Sequence, residues 1–180
     1  PFSCTGQNLA YRKEDFDKVG GFSKIMHLVS GDDVNLMQLF QRKGLGIIFC
    51  FVPHSFVYTK ANETWRNFFN QRSRWASNAK WQILLNPEFF LYLCSVFFLT
   101  LFIVFLLFLS WKIGLLLIIC KFIIEYTFIK KFYPLFKVKP NRVKFFTVWF
   151  LIQPFYIITS ALLGIIGIFQ WKKLAVRTKK

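Results

Sequence analysis

Acidic residues are scarce in this 180-residue chain, and they are unevenly distributed. Only 8 Asp and Glu stand against 24 Lys and Arg, which gives a net charge of +16. Residues 1–88 hold 7 of the acids against 11 basic residues, whereas residues 89–180 hold one acid, Glu125, against 13. Carboxylate chemistry is therefore confined almost entirely to the first half of the chain.

Cysteine and histidine are also few. The 4 cysteines show no C-x-x-C spacing, and two of them lie in apolar runs; they are Cys4, Cys50, Cys94 and Cys120. We expect reduced, buried thiols rather than a disulfide framework or a zinc site. His27 and His54 have no ligand partner at a useful spacing, so structural roles are expected for both.

The chain opens on Pro1, and its first methionine is Met26. We expect it to be the C-terminal part of a longer protein. The residues before the first long apolar run are close to the lower limit for an independent core, so they are expected to complete a domain that begins upstream.

Hydrophobic residues make up 55% of the chain, including 25 Phe, and form long runs in the second half. Residues 89–111 carry no charge, and a helix of that length crosses a hydrocarbon core of about 30 Å. Residues 145–171 are also uncharged. Between these runs, Lys121 and Glu125 lie four apart on one helical face and can neutralise each other. The predicted spans are 89–111, 113–133 and 145–171, together a transmembrane region over 89–171, followed by a basic tail over 172–180.

Basic residues in short loops set the predicted orientation. The turn between the first two spans offers only Lys112, whereas residues 130–144 carry six Lys and Arg. This places the front half and that loop in the cytoplasm, in a multi-pass protein of the cell (inner) membrane. The tail is basic too, although three full crossings would put it outside. We therefore expect Gln153-Pro154 to break the last run into a re-entrant or interfacial hairpin that returns the tail to the cytoplasm.

The front half has the pattern of a mixed α and β structure. Glycines mark the ends of two short helices, and Pro53 separates two runs that are rich in β-forming residues. A capping residue and Pro87 bound a third helix. The predicted elements are helices over 13–19 and 32–43, strands over 46–52 and 55–59, and a helix from Asn62 or Thr64 to Pro87.

Asp32 and Asp33 follow Ser30-Gly31 at the predicted start of a helix. In one interpretation they only stabilise that helix, because carboxylates near an N-terminus interact with the macrodipole by about 0.3–1 kcal/mol. In the other, one carboxylate takes a proton from a hydroxyl group, since the backbone at a helix start holds a short Asp side chain well. Two adjacent carboxylates repel each other, which suggests a different partner for each.

Gln71, Arg74 and Trp75 stand at positions i, i+3 and i+4 of the helix predicted before the first span, and so share one face. Aromatic and basic side chains along this helix are typical of membrane-interface anchoring, which accounts for most of them without a site. A functional role stays open for these three. Arginine offers a bidentate fork for phosphate oxygens, and tryptophan offers a flat face for a sugar ring.

Four short motifs occur in a fixed order before the apolar runs. They are Gly6-x-Asn8-x-Ala10-Tyr11-Arg12, Val19-Gly20-Gly21-Phe22, Gly31-Asp32-Asp33, and the Q-x-x-R-W residues Gln71, Arg74 and Trp75. Their order and spacing resemble the C-terminal half of membrane-bound family-2 glycosyltransferases, which include the cellulose- and hyaluronan-synthase-like enzymes. The resemblance covers about residues 3–88 by motif and the rest by architecture.

The resemblance implies an α/β fold followed by transmembrane α-helices. Residues 1–62 would be the C-terminal part of a GT-A type nucleotide-sugar transferase domain. Residues 63–88 would be an amphipathic interfacial helix that carries the Q-x-x-R-W motif. The implied activity is inverting transfer of a sugar from a nucleotide-sugar to an acceptor hydroxyl.

The resemblance also assigns roles to single residues. The family's catalytic base falls on Asp33, and the acidic position before it falls on Asp32. Gln71, Arg74 and Trp75 would line the acceptor and diphosphate end of the site. Asn8 is expected to support the floor of the same acceptor pocket.

The family further uses a D-x-D motif to hold a divalent metal, Mg²⁺ or Mn²⁺, on the diphosphate. Asp15-Phe16-Asp17 matches this pattern literally, but it lies on a short polar helix where charged residues normally form a solvated face. We expect no metal site in this chain. The metal ligands are expected upstream, so that the chain on its own would be inactive.

A second class of function stays open, a non-catalytic, basic multi-pass membrane anchor or scaffold. It accounts for the charge and the aromatic residues, but not for the paired aspartates together with the Q-x-x-R-W residues. The enzyme's expected partners are a nucleotide-sugar donor, a glycan or lipid-linked acceptor, and membrane lipids. Nucleic acid is excluded, because the basic residues lie beside apolar spans and are explained by topology. Two or three crossings favour single addition over processive synthesis.

Overall fold

The structure is a computed structural model that describes residues 1–136, 143–171, 174 and 175. Two compact units can be distinguished along the chain. The first contains Pro1–Leu93 and the segment from Ser160 onward, and the second is Cys94–Thr159. The candidate site residues all lie in the first unit.

Helices dominate the described residues. The α-helices are α1 (Lys13–Lys18), α2 (Asp32–Arg42), α3 (Trp65–Ala76), α4 (Ala79–Leu85), α5 (Pro87–Leu109), α6 (Trp111–Phe132) and α7 (Phe145–Ile166). Short 3₁₀ turns occur at Gly6–Asn8, Pro53–Ser55 and Tyr133–Phe136. Two strands of two residues each, β1 (Gln170–Trp171) and β2 (Leu174–Ala175), pair antiparallel with Gln170 opposite Ala175.

The two short helices predicted in the front half are present. After α1, Gly20 and Gly21 adopt φ values of 83° and 55°, a conformation that favours glycine and ends the helix. A Cβ on Gly21 would lie 2.8 Å from the ring of Phe16. The path from α1 towards α2 therefore depends on glycine at this position.

The apolar face of α2 forms the core of the first unit. The buried cluster consists of Val19, Ile25, Leu36, Leu39 and Phe40. Burying one such side chain contributes about 1.5–3 kcal/mol. This core fixes the helix that carries the paired aspartates at its start.

The predicted strands over 46–52 and 55–59 are wrong. The segment is irregular apart from the 3₁₀ turn Pro53–Ser55, and Ile48, Phe49 and Tyr58 are largely exposed. A strand needs a neighbour for its backbone hydrogen bonds, and no strand among the described residues pairs with this segment. The expected α/β character of the front half is therefore not confirmed.

The helix predicted up to Pro87 is divided. Thr64 is the cap, because its side-chain oxygen accepts a hydrogen bond of 3.2 Å from the backbone N–H of Asn67. The first helix, α3, ends at Ala76, and the next helix, α4, begins at Ala79. Pro87 does not close that helix but opens α5, where the missing N–H costs nothing, while Asn86 accepts from the N–H of Phe89 at 3.0 Å.

Helices α5 and α7, in the described part of the chain, are long and apolar enough to cross a membrane. Crossing by α6 stays a prediction. Lys121 of α6 pairs with Glu125, as expected from their spacing, and also donates a hydrogen bond to Gln153.

The break predicted at Gln153-Pro154 is wrong, because α7 runs through Pro154 without interruption. Proline removes one donor from the helical ladder, and apolar helices tolerate that loss when neighbouring groups compensate for it. A turn at this position therefore cannot return the tail to the front half.

Candidate active site

Asp33 is held in the first turn of α2 by two backbone donors. Its Oδ2 accepts a hydrogen bond of 2.7 Å from the N–H of Gly6, and its Oδ1 accepts one of 2.8 Å from the N–H of Val34. Gly31 precedes the helix with φ 79°, and a Cβ there would lie 2.4 Å from Nδ2 of Asn78. The two hydrogen bonds thus fix the half-buried carboxylate in one orientation. The positive φ and the close approach of Asn78 favour glycine at position 31, two residues before Asp33.

Asp32 and Arg74 line one cavity of ≈ 290 Å³, which we call the acidic cavity. Its other walls are Ser30 and the side chains of Phe22, Ile25, Met26, Leu28 and Val29. Arg74 Nη1 donates a hydrogen bond of 3.0 Å to Ser30 Oγ. The cavity therefore presents a cation and a carboxylate beside an apolar wall.

Arg74 is half-buried, and its surroundings act on it in two directions. Burial lowers the pKa of Arg74 from its ordinary value, while the nearby charges of Asp32 and Asp33 oppose that change. The guanidinium stays protonated at neutral pH, because the ordinary value lies far above it. The structure therefore places a permanent cation close to both aspartates.

A second cavity of ≈ 290 Å³ lies along α3, and we call it the amide cleft. Its lining consists of Asn62, Asn67, Asn70, Gln71, Arg74 and Gln170. Four of these residues follow the i, i+3, i+4, i+7 spacing of one helical face. Gln71 accepts a hydrogen bond of 2.9 Å from Nδ2 of Asn62, and Arg74 lines both cavities.

Trp75 is separated from Gln71 and Arg74, although the spacing predicted one shared face. The guanidinium carbon of Arg72 lies 4.5 Å from the Trp75 ring centre and 5.2 Å from that of Phe68. Trp75 lines neither cavity and is 46% exposed. Helix α3 therefore carries an amide face and an aromatic face, and Trp75 belongs to the second.

Asn8 does not line either cavity. Its Nδ2 donates a hydrogen bond of 2.6 Å to the backbone oxygen of Ser55. This contact ties the turn Gly6–Asn8 to the turn Pro53–Ser55. Asn8 thus supports the segment whose Gly6 N–H holds Asp33, and its role at the floor of an acceptor pocket stays a prediction.

A buried network of amide side chains connects α2 to α4, and none of the motifs in the sequence predicted it. Its members are Asn35, Gln38, Asn78, Gln82 and Asn86, which are all buried. Asn35 and Asn78 exchange hydrogen bonds of 2.9 and 3.0 Å, and Gln82 donates to Asn35 at 2.8 Å. Polar residues at 78, 82 and 86 recur every four positions, which is the one signal that could have revealed it.

No group of three or more His, Cys, Asp or Glu side chains comes together in residues 1–136 and 143–171. Asp15 of the D-x-D match forms an ion pair of 2.8 Å with Lys18 instead. Fewer than three such ligands make a poor divalent-metal site. The described residues do not fit the divalent metal that the resemblance implies.

The described residues thus contain two helices that are apolar enough for a membrane, and a carboxylate that lies close to a half-buried arginine. Residues 1–166 match the family described as glycosyl transferase family group 2. The chain belongs to this family. No curated protein sequence and no solved structure matches it. The cellulose- and hyaluronan-synthase-like subtype stays a prediction.

Proposed function

We propose that the protein transfers a sugar from a nucleotide-sugar to an acceptor hydroxyl, with inversion, at the cytoplasmic face of the cell membrane. The product would be a cell-surface polysaccharide or a glycolipid. Membership of the family supports glycosyl transfer. The observation that carries the residue assignment is the Asp33 carboxylate, held by the N–H of Gly6 and close to the Arg74 cation.

In the proposed reaction, Asp33 takes the proton of the acceptor hydroxyl, and the oxygen of that hydroxyl forms a bond to the anomeric carbon of the donor. The bond from that carbon to the diphosphate oxygen breaks at the same time, and the nucleoside diphosphate leaves. One displacement inverts the configuration of the anomeric carbon. An ordinary Asp is ionised at neutral pH and so can act as this base.

Arg74 would stabilise the negative charge that develops on the departing diphosphate. Its planar fork suits phosphate oxygens, and its partial burial strengthens the interaction relative to water. Asp32, in the same cavity, and Gln71, in the amide cleft, would orient the acceptor and the diphosphate. The exposed part of the Trp75 ring would offer a sugar a flat surface at the membrane boundary.

The proposal is tested by Asp33→Asn in the protein expressed from its own gene in its native membranes. The amide keeps the size of the side chain but cannot take the proton, so sugar transfer should fall by about 10²–10⁴-fold. Transfer is measured with radiolabelled nucleotide-sugars, and donor binding is measured on the same membranes and should be retained.

The matched control is Asp17→Asn, which neutralises an exposed aspartate on α1 that is not among the predicted site residues. It should leave transfer within about two-fold of the unmodified protein. If the Asp33→Asn variant transfers sugar at a rate within a few-fold of that control, Asp33 is not the base. Product length on a gel then distinguishes single addition from processive synthesis.

A further inference from the structure

Ser30 stands directly before Gly31 and the paired aspartates, and the proposed reaction gives it no role. Its side chain lines the acidic cavity together with Asp32, yet the residue is only 6% exposed. A buried hydroxyl needs a hydrogen-bond partner, and here that partner is Arg74, whose Nη1 donates to Ser30 Oγ at 3.0 Å. This bond joins positions that lie 44 residues apart in the chain.

Buried contacts fix the backbone on which this hydroxyl stands. Asn35, which is completely buried, donates a hydrogen bond of 3.4 Å from Nδ2 to the backbone oxygen of Ser30. Asn35 is itself held by Asn78 and Gln82 in the amide network. The next residue, Gly31, has φ 79°, a conformation that favours glycine. The position of the Ser30 hydroxyl is therefore set by the fold of the first unit.

The chemistry of a hydroxyl suits the task of holding an arginine. Arginine has a long side chain with many rotamers, so its fork must be held in place before it can act at a defined point. A serine hydroxyl accepts one N–H without carrying charge. A carboxylate at the same point would compensate for part of the positive charge of Arg74. The neutral acceptor thus orients the guanidinium and leaves its charge for an anion.

We propose that Ser30 is a positioning residue, whose hydroxyl holds Arg74 in the orientation in which it meets the departing diphosphate. This role rests on the proposed function, whereas the contact between the two side chains does not. Ser30 acts through Arg74 and does not touch the reacting atoms. Because negative charge on the diphosphate develops in the transition state, loss of this orientation should lower kcat more than it raises KM.

Kinetics of sugar transfer test the role with Ser30→Ala, in the protein expressed from its own gene in its native membranes. Alanine removes only the hydroxyl, and kcat should fall by about tenfold, as expected for one hydrogen bond to a charged group. The KM for the radiolabelled nucleotide-sugar should change by less than about threefold. The matched control, Ser23→Ala, removes an exposed hydroxyl in the same unit and should leave both constants within about twofold.

Chemical labelling of Arg74 tests the contact without any sugar transfer. Phenylglyoxal modifies guanidinium groups that it can reach, and mass spectrometry of peptides gives the rate at each arginine. Ser30→Ala should accelerate the labelling of Arg74 by about threefold or more, because a guanidinium without its acceptor moves more freely. Arg72, which is two positions away and stacks on Trp75, is the internal control and should be labelled at an unchanged rate.

Four results would overturn the inference. They are a kcat for Ser30→Ala within about twofold of the Ser23→Ala value, a rise in KM larger than the fall in kcat, an unchanged labelling rate at Arg74, or equal acceleration at Arg72 and Arg74. The last would mean that α3 loosens as a whole.

The Asp33→Asn variant separates this inference from the proposed function. If Asp33→Asn abolishes transfer and Ser30→Ala does not slow it, only the positioning role is rejected. If Ser30→Ala accelerates the labelling of Arg74 while Asp33→Asn transfers sugar at the normal rate, the contact stands and the proposed function is rejected.

Discussion

The thiol of Cys4 is sensitive to the charge of Asp33, so its pKa reports on the candidate site. Burial and, to a smaller extent, the charge of Asp33 together raise the pKa of its thiol from the ordinary 9.0 to about 11. The thiol is therefore protonated and weakly nucleophilic at neutral pH. In a variant whose other three cysteines are replaced by serine, alkylation by iodoacetamide should accelerate towards pH 11 rather than pH 9.

The same shift in the pKa of Cys4 predicts how stability depends on pH. The folded state favours the protonated thiol, so this contribution is fully present below pH 9 and is lost as the pH rises from 9 towards 11. Asp33→Asn should lower the pKa of Cys4, but not to 9.0, because burial is the larger cause. An unchanged alkylation profile in Asp33→Asn would contradict the proximity of these two residues.

Between elements, the amide network sets the position of α2 relative to α4. Asn35→Leu would leave the amides of Asn78 and Gln82 buried without this partner, and each lost partner costs about 1–3 kcal/mol. We expect the free energy of unfolding to fall by about 2 kcal/mol or more. Denaturation of the protein in detergent measures it.

Gln41→Leu is the matched control for that change, because it replaces an exposed amide on the same helix. It should alter the free energy of unfolding by no more than about 0.5 kcal/mol. Equal effects of the two variants would mean that the buried network does not hold α2 in place.

A close approach of two helices determines the position of α3. A Cβ on Gly164, near the end of α7, would lie 2.7 Å from the backbone oxygen of Ser73 and 2.8 Å from the nitrogen of Ser77. Glycine to alanine normally stabilises a helix by about 1 kcal/mol. Here we expect Gly164→Ala to destabilise the protein by about 1–3 kcal/mol instead, because backbone atoms must move.

Thermal unfolding of Gly164→Ala and of Gly46→Ala makes the comparison direct. A Cβ on Gly46 would have no atom within 4 Å, so that variant should unfold close to the temperature of the unmodified protein. A higher unfolding temperature for Gly164→Ala would show that α7 does not pack this closely on α3.

At the scale of the whole molecule, features that depend on neighbours in sequence could be predicted. The glycine stop after α1, the apolar face of α2, and the extent of α5 each follow from local pattern. The strands over 46–52 and 55–59 could not be predicted reliably, since a strand depends on a partner that the pattern does not specify.

In the candidate site, too, features set by local sequence could be predicted, and features set by distant contacts could not. The Asp33 position at a helix start was visible in the sequence, because a cap and its first turn are local. The amide cleft requires Gln170 to approach α3 across about 100 residues of chain, and the amide network requires two helices to align. Trp75 lines neither cavity, and Arg72, three positions away, stacks on its ring, a contact that the i, i+3, i+4 spacing alone does not specify.

The location of the tail is the last prediction, and contacts in the first unit support it. The end of α7 packs on α3 at Gly164, and Gln170 accepts a hydrogen bond from Arg66. We therefore expect the chain after α7 to lie on the same side of the membrane as α3, which we propose to be the cytoplasm. Because α7 has no break at Pro154, this placement requires α5 and α7 to cross the membrane and α6 not to cross it, in contrast to the span predicted over 113–133. A green fluorescent protein fused after Lys180 should fluoresce, and alkaline phosphatase at the same point should be inactive.

Fusions after Ser110, just beyond α5, serve as the control and should show the opposite pattern. Active phosphatase after Lys180 would require α3 and the tail to lie on different sides, and would reject the packing of α7 on α3.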